Sequence, residues 1–305
     1  MSMDLPKHVS ICEQGSRDGI QTLPDFIPTE KKIELIDSLS DTGLGLIEVT
    51  SFVSPRSIPQ LRDAAEVMAG IKRRPGTRYI AIVPNEMGAQ RAAEARVDEM
   101  GFFLSASESH NQHNVHMSVD DSLRQIGSVI RVAHQAGIPV FAGIVTAFGC
   151  PYEGEVPMGR VARPLEEMLH QGCHRIMLGD TTGMANPRQV QELMSYLMAR
   201  FPGVPIGLHF HDNRGTALAN ILAALQVGIT HFDSCVGGLG GSPTPGAMGN
   251  VCSEDLVHVL HEMGIETGVD LDKLIGCARL IGELTGKDLP SHILKAGKRS
   301  ELVCE

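Results

Sequence analysis

The segment His209-Phe210-His211 sets two imidazoles two residues apart. On a β-strand that spacing points both rings to one face, within reach of a single cation. With 13 histidines in 305 residues, one such pair means little by itself. It gains meaning from its place at the end of an apolar run, PIGLHFHDN. Other polar residues fall at similar places. Arg17 and Asp18 follow the apolar run HVSICEQ, Glu48 interrupts LIEVTSFV with Ser51 near its end, and Asp180 and Thr181 close RIMLGD. A glycine-rich stretch, Gly237–Gly249, ends on Asn250. Two imidazoles with the Asp18 carboxylate and carbonyl oxygens suit Mg²⁺, Mn²⁺, Fe²⁺ or Zn²⁺, with no thiolate required. Glu48 would cost on the order of several kcal/mol to bury unpaired, so it needs a cationic partner, for which Arg17 is the candidate. The glycine-rich stretch lacks the lysine of a phosphate-binding P-loop and reads as a flap whose backbone can approach a ligand. His110, His113 and His116 mimic a metal motif, but their polar setting predicts a solvated loop.

These side chains need a scaffold. Eight short apolar runs begin near His8, Leu46, Arg78, Glu99, Pro139, Arg175, Pro205 and His231. Stretches with helical spacing lie between them, among them Glu30–Leu39, Val119–Gln135, Pro187–Arg200 and Ala217–Gln226. Gly43, Gly137, Gly172 and Gly228 stand where left-handed helix caps are expected. Strands alternating with helices at about 32 residues per unit predict a (β/α)₈ TIM barrel. A doubly wound sheet gives a similar alternation, but its GxGxxG turn is missing. The barrel is expected to form a single catalytic domain over 1–305, with 269–305 as a C-terminal helical cap and tail. That extension would serve as a cap or as an oligomer contact, in a homodimer or higher homo-oligomer. In such a barrel the chemistry belongs at the carboxyl ends of the strands, where the residues above fall.

Composition narrows the partners. Twenty-six basic against 36 acidic residues give a net charge of −10, which argues against nucleic acid. The chain has no Trp, three Tyr and nine Phe, too few for base-stacking platforms. No apolar run approaches the ~20 residues that span a bilayer, and no signal or transit peptide is expected. Seven cysteines without CxxC spacing predict thiols in a reducing cytoplasm. A soluble cytoplasmic enzyme with a small-molecule partner is expected.

In order along nearly the whole chain, the sequence carries RDGIQ (Arg17–Gln21), IEVTSFVSP (Ile47–Pro55), SAS (Ser105–Ser107) and GCPYEG (Gly149–Gly154). It continues with LGDTTG (Leu178–Gly183), HFHD (His209–Asp212), GLGG (Gly238–Gly241) and GN (Gly249–Asn250). This set resembles the metal-dependent 3-hydroxy-3-methylglutaryl-CoA lyase family, of the barrel superfamily that also holds isopropylmalate and homocitrate synthases. RDG and HxH are common to that superfamily, whereas IEVTSFVSP and GCPYEG point to the CoA lyase branch. The resemblance implies Mg²⁺ or Mn²⁺ on Asp18, His209, His211 and Asn250. It implies a catalytic Arg17 facing a thioester carbonyl and oriented by Glu48, and a substrate pocket lined by Gln21, Ser51, Asp180 and Thr181. Asp18 or His209 would be the base. Coenzyme A would be part of both substrate and product. The default reaction is cleavage of 3-hydroxy-3-methylglutaryl-CoA to acetyl-CoA and acetoacetate. Citramalyl-CoA or methylmalyl-CoA cleavage, a condensing acyltransferase and a non-catalytic metal- and CoA-binding protein are the alternatives. Two departures bear on the substrate. Ser242 stands where the family carries a flap cysteine that acts in the final proton transfer, in a stretch one residue shorter, and neither Cys235 nor Cys252 occupies the matching place. Met177 stands where the family tends to have a small polar residue.

Overall fold

The computed structural model describes residues 4–241 and 249–301. Eight strands, β1 (Ser10–Glu13), β2 (Leu46–Ser51), β3 (Arg78–Ile82), β4 (Glu99–Ser105), β5 (Val140–Val145), β6 (Ile176–Asp180), β7 (Ile206–Phe210) and β8 (His231–Ser234), pair in parallel in chain order. β8 pairs with β1, closing the barrel. A one-turn helix α1 (Asp18–Gln21) and α2 (Thr29–Ser40) follow β1. Helices α3 (Ala64–Gly70), α4 (Glu86–Glu94), α5 (Glu108–Val115), α6 (Val119–Gln135), α7 (Met158–Gln171), α8 (Pro187–Arg200), α9 (Ala217–Gln226) and α10 (Ser253–Glu262) complete the (β/α)₈ repeat. Helix α11 (Leu271–Thr285) packs between α10 and α2 and is part of the outer wall; α12 (His292–Ala296) is short.

Local chemistry explains the helices. Ser118 and Asn186 cap α6 and α8 by accepting from Asp121 N and Gln189 N. α6 buries Leu123, Ile126, Val129 and Ala133, one stripe at helical spacing that faces the strands. The four glycines expected as left-handed caps all have positive φ, between 68° and 112°.

Strand alternation sorts two sets of side chains. Val49, Tyr79, Ala81, Met100, Phe102, Leu178 and Phe210 face outward into the main core beneath the helices. Cys12, Leu46, Ile80, Ile82, Phe141 and Met177 fill the barrel interior, with Phe103 packed against them. Room for the large interior side chains comes from glycine opposite them. A β-carbon at Gly143 would lie 2.0 Å from the Phe103 ring, and one at Gly207 would lie 2.4 Å from Met177 Sδ. Met177 is therefore part of the packed interior, the second residue of β6 and not at its carboxyl end. It does not stand at the pocket, and the substrate argument attached to it falls away.

The HxxHxxH segment also differs from expectation. It is α5, capped at its start by the Ser107 hydroxyl and ended by His116 in the left-handed region. His110 is buried, which pushes its pKa down to about 4, and His113 stacks on Tyr152 at 4.4 Å. The Ser107 hydroxyl accepts from His110 N, an N-cap that starts a helix even in a polar segment.

Charges close the amino-terminal end of the barrel. Glu99 is fully buried and accepts from Arg175 Nε at 2.8 Å and pairs with His174 Nε2 at 3.1 Å, while the Arg175 guanidinium lies 4.1 Å over the Phe141 ring. Burial alone would raise the Glu99 pKa, but His174 and Arg175 overcome it and hold the carboxyl at about 2. Because that lies below the ordinary value of 4.5, Glu99 contributes stability that is full above about pH 4.5 and fades as the pH falls towards 2. Glu99→Gln leaves Arg175 without its buried counter-charge, a loss of about 3–5 kcal/mol at neutral pH. Urea midpoints at pH 7 and pH 3 check this: the gap between wild type and variant is expected to shrink at the lower pH.

Candidate active site

At the carboxyl end of β1 the chain turns sharply through Gln14–Arg17 into α1. Glu13 fixes the turn from the outer side. Its carboxylate accepts from Gly15 N at 2.7 Å, from Val236 N at 2.8 Å and from the Ser253 hydroxyl, tying the loop after β1 to that after β8. Gly15 is required here because a β-carbon would lie 2.6 Å from Val236. Burial pushes Glu13 up to about 7 despite these donors.

The turn delivers Arg17 and Asp18 to the mouth of the barrel with side chains only 11% and 7% exposed. Arg17 donates to Glu48, to Asp18 Oδ1 at 2.8 Å and to Gln14 Oε1 at 3.2 Å, with the Phe103 ring 5.9 Å away. The pairing of Arg17 with Glu48 expected from sequence is thus present, with Asp18 and Gln14 as additional partners. Burial alone would lower the Arg17 pKa, but Glu48 and Asp18 overcome it and raise it, so the guanidinium is permanently charged. Glu48 is pushed up to about 7 by burial, against the opposing pull of Arg17.

β2 reaches this point through an irregularity. Its pairing with β3 shifts between Glu48 and Thr50, so Glu48 is opposite Ile80 and Ser51 opposite Ile82, both interior residues. Strict alternation would have put these two side chains on opposite faces; the bulge puts both inside. The Ser51 hydroxyl donates to Ile82 O at 3.2 Å.

His209 and His211 come from the end of β7, their rings 5.0 Å apart. Ligand atoms of Asp18, His209 and His211 all lie within 4.8 Å of one another, the one such grouping among the described residues. Asn250 joins them by donating from Nδ2 to Asp18 Oδ2 at 2.7 Å. Its Oδ1 and the Nδ1 of His211 are buried without a hydrogen-bond partner among the described residues. Buried orphan acceptors next to a carboxylate are what a bound cation would satisfy, so the donor set fits a divalent metal. Burial and the neighbouring His209 take the His211 pKa down to about 3, keeping its ring neutral and its lone pair free. Burial would raise Asp18, but Arg17, His209 and His211 together lower it. His209 moves up because Asp233 and Asp18 outweigh burial. At Gly240 the backbone passes so close that a β-carbon would lie 2.1 Å from Asn250 Nδ2 and 2.6 Å from Asp18 Oδ2.

The remaining sequence-derived residues divide. Gln21 donates to Asp18 Oδ1 at 2.6 Å and to Gly241 O at 3.1 Å, bridging α1 and the start of the flap. Thr181 is on the interior side, its hydroxyl accepting from Thr146 N at 2.8 Å. Asp180 differs from expectation. By alternation from Met177 it faces outward, and its carboxylate accepts from Met184 N at 2.7 Å and Ala185 N at 3.1 Å. It holds the loop after β6, and burial raises it to about 6. Ser242 lies outside the described residues. Cys235 and Cys252 are buried thiols whose pKa values burial pushes up, unsuited to proton transfer. Sequence reading missed Gln14, Glu13 and Asp233; a carboxylate inside the short strand HFDS is the same signal that marked Glu48. Beside Asn250 a cavity of about 930 Å³ opens, lined in part by Asp212, Arg214, Lys287, Pro290 and His292.

A cluster that could hold a cation and a buried arginine lie together at the carboxyl end of a closed parallel barrel, the end where TIM-barrel enzymes carry their active sites. Residues 8–281 match the HMGL-like family, and the chain belongs to it. The hydroxymethylglutaryl-CoA lyase YngG of Bacillus subtilis is 49% identical over 98% of this chain and 100% of its own length. The cytoplasmic 3-hydroxy-3-methylglutaryl-CoA lyase of Rattus norvegicus is 43% identical over 98% of this chain and 87% of its own. The structure of an HMG-CoA lyase from Acinetobacter baumannii in complex with coenzyme A and 3-methylmalate superposes with a TM-score of 0.95 at 43% identity, covering 98% of both chains. No helix among the described residues is long and apolar enough to cross a membrane.

The Arg17–Glu48 contact yields a stability prediction. Glu48→Ala removes the main counter-charge of a buried guanidinium and is expected to cost about 3–5 kcal/mol. Denaturant titration checks it. A loss below about 1 kcal/mol would mean that Asp18 and Gln14 suffice to hold Arg17.

Proposed function

We propose that the chain is a divalent-metal-dependent carbon–carbon lyase that cleaves 3-hydroxy-3-methylglutaryl-CoA to acetyl-CoA and acetoacetate. The observation that carries the reading is the placement of Arg17 directly beside the Asp18–His209–His211 cluster. Cleavage moves charge between two oxygens: the 3-hydroxyl loses a proton and the thioester carbonyl becomes an enolate. An adjacent cation site and a fixed guanidinium provide one positive group for each. A divalent ion on Asp18, His209, His211 and Asn250 would lower the hydroxyl pKa and orient the substrate. The donor set suits Mg²⁺, Mn²⁺, Fe²⁺ or Zn²⁺, and of these the family resemblance implies Mg²⁺ or Mn²⁺.

The chain's own residues do the rest. Asp18, whose carboxylate has a second oxygen beside the one that would hold the ion, is the group placed to take the hydroxyl proton, while His209 serves as a ligand. Arg17 donates to the thioester oxygen, an interaction that strengthens as negative charge develops there. Glu48 and Gln14 hold the guanidinium in register, so no reorganisation is needed at the moment of cleavage. Ser51 and Thr181 line the interior side of the pocket, and Gln21 links Asp18 to the flap. The cavity beside Asn250 is the proposed site for the coenzyme A portion. The same reading has the enzyme work in a reducing compartment, for which the cytoplasm is the proposal; the six described cysteines, all free thiols, fit such a compartment.

A coupled assay with purified protein and Mg²⁺ is expected to give acetoacetate from 3-hydroxy-3-methylglutaryl-CoA and to lose the activity in EDTA. Turnover of citramalyl-CoA with no acetoacetate formed would move the substrate to a smaller acid. Asp18→Ala and His209→Ala are each expected to lower kcat by at least about 100-fold. Retention of wild-type, EDTA-sensitive activity by either would overturn the ligand assignment. Ser242→Cys addresses the flap departure: a higher rate would show that a thiol at this position still serves the last proton transfer. An unchanged or lower rate would show that the present site works without it.

A further inference from the structure

Asp233 has no part in the function described above, yet it is 4% exposed inside the barrel. It is on β8 directly opposite His209 of β7 in the strand register, and its Oδ2 lies 3.2 Å from His209 Nδ1. The two nearby guanidinium groups are engaged elsewhere, Arg17 by Asp18 and Glu48 and Arg175 by Glu99. The other register partner of Asp233 is Cys12 of β1, a thiol. Among the described residues, the imidazole is thus the polar side chain that Asp233 meets at hydrogen-bond distance.

We propose that Asp233 is a positioning residue for the cation site: it accepts a hydrogen bond from Nδ1–H of His209, selects that tautomer and leaves Nε2 as the ligand nitrogen. An ionised carboxylate only accepts hydrogen bonds, so the proton must be on Nδ1 and the lone pair on Nε2. Without this constraint the neutral ring can hold its proton on Nε2, which cannot then bind a cation. The register makes the device rigid. Both residues are on neighbouring strands of a closed sheet, so the carboxylate–imidazole geometry is set by the β7–β8 ladder and not by a loop. His211 has no such partner at Nδ1 among the described residues, so the two histidines are not equivalent. The inference rests on the cation reading of Asp18, His209 and His211.

Two measurements on the full-length protein test it. Titration of Mn²⁺ followed by the electron paramagnetic resonance signal of the free ion gives Kd for wild type, Asp233→Asn and Asp233→Ala. A folded Asp233→Asn, with wild-type circular dichroism, is expected to bind Mn²⁺ about 10–100-fold more weakly. A Kd within twofold of wild type would overturn the positioning role. Long-range ¹H–¹⁵N spectra of imidazole-labelled, cation-free wild type at alkaline pH, assigned with His209→Gln, read the tautomer directly and need no Asp233 variant to fold. They are expected to show His209 protonated on Nδ1; a proton on Nε2 would overturn the proposal. Failure of wild type to bind Mn²⁺ at all would overturn the cation site itself, a different outcome from a bound ion that ignores Asp233.

Discussion

Everything at the mouth of this barrel depends on keeping one guanidinium out of water and still charged. Arg17 is almost fully enclosed, and the cost of that enclosure is offset by Glu48 and Asp18, with Gln14 as a further acceptor. Breaking such a buried arrangement is far more costly than its net contribution to stability would suggest, because the surviving charge is left alone in a low dielectric. The arrangement therefore works as a constraint. It fixes where β1 ends, which way α1 starts and which face of β2 must turn inward.

The same logic operates at both ends of the barrel. Below, Glu99, Arg175 and His174 close the interior with a paired charge cluster over the Phe141 ring. Above, Arg17, Glu48 and Asp18 form another beside Asn250 Oδ1 and His211 Nδ1, which lack partners among the described residues. Between them is a dry layer of Cys12, Leu46, Ile80, Ile82, Phe141 and Met177. The lower cluster pairs a carboxylate with a guanidinium and an imidazole and stabilises the fold. The upper one brings Asp18, two imidazoles and a spare amide oxygen together around one point, which is the property expected of a site built to receive a cation.

Much of this was legible in the sequence. The β/α alternation, the helix limits of α6, α8 and α9 and the glycine caps follow from periodicity and capping chemistry, which are local. Glu48 announced itself as a carboxylate inside an apolar strand, and its need for a partner pointed to Arg17. Asp233 carried the same signal in a strand of only four residues, too short for the apolar context to stand out. Asp180 misled for a related reason. A polar residue at a strand's carboxyl end was expected to face a ligand, but Asp180, three positions on from the interior Met177, turns outward to the backbone of its own loop.

The sequence by itself determined the barrel and the residue types at its mouth, because hydrophobic period, caps and the cost of burying charge act over a few residues. Only the tertiary structure decided which of those residues meet. Asp18 and Asn250 are separated by 232 positions and touch because β8 pairs back onto β1. Ser51 faces the interior because the β2–β3 register slips by one residue after Glu48. Asp233 faces His209 because the β7–β8 ladder sets them opposite each other. Register and closure are properties of strand pairs, so no single segment can encode them.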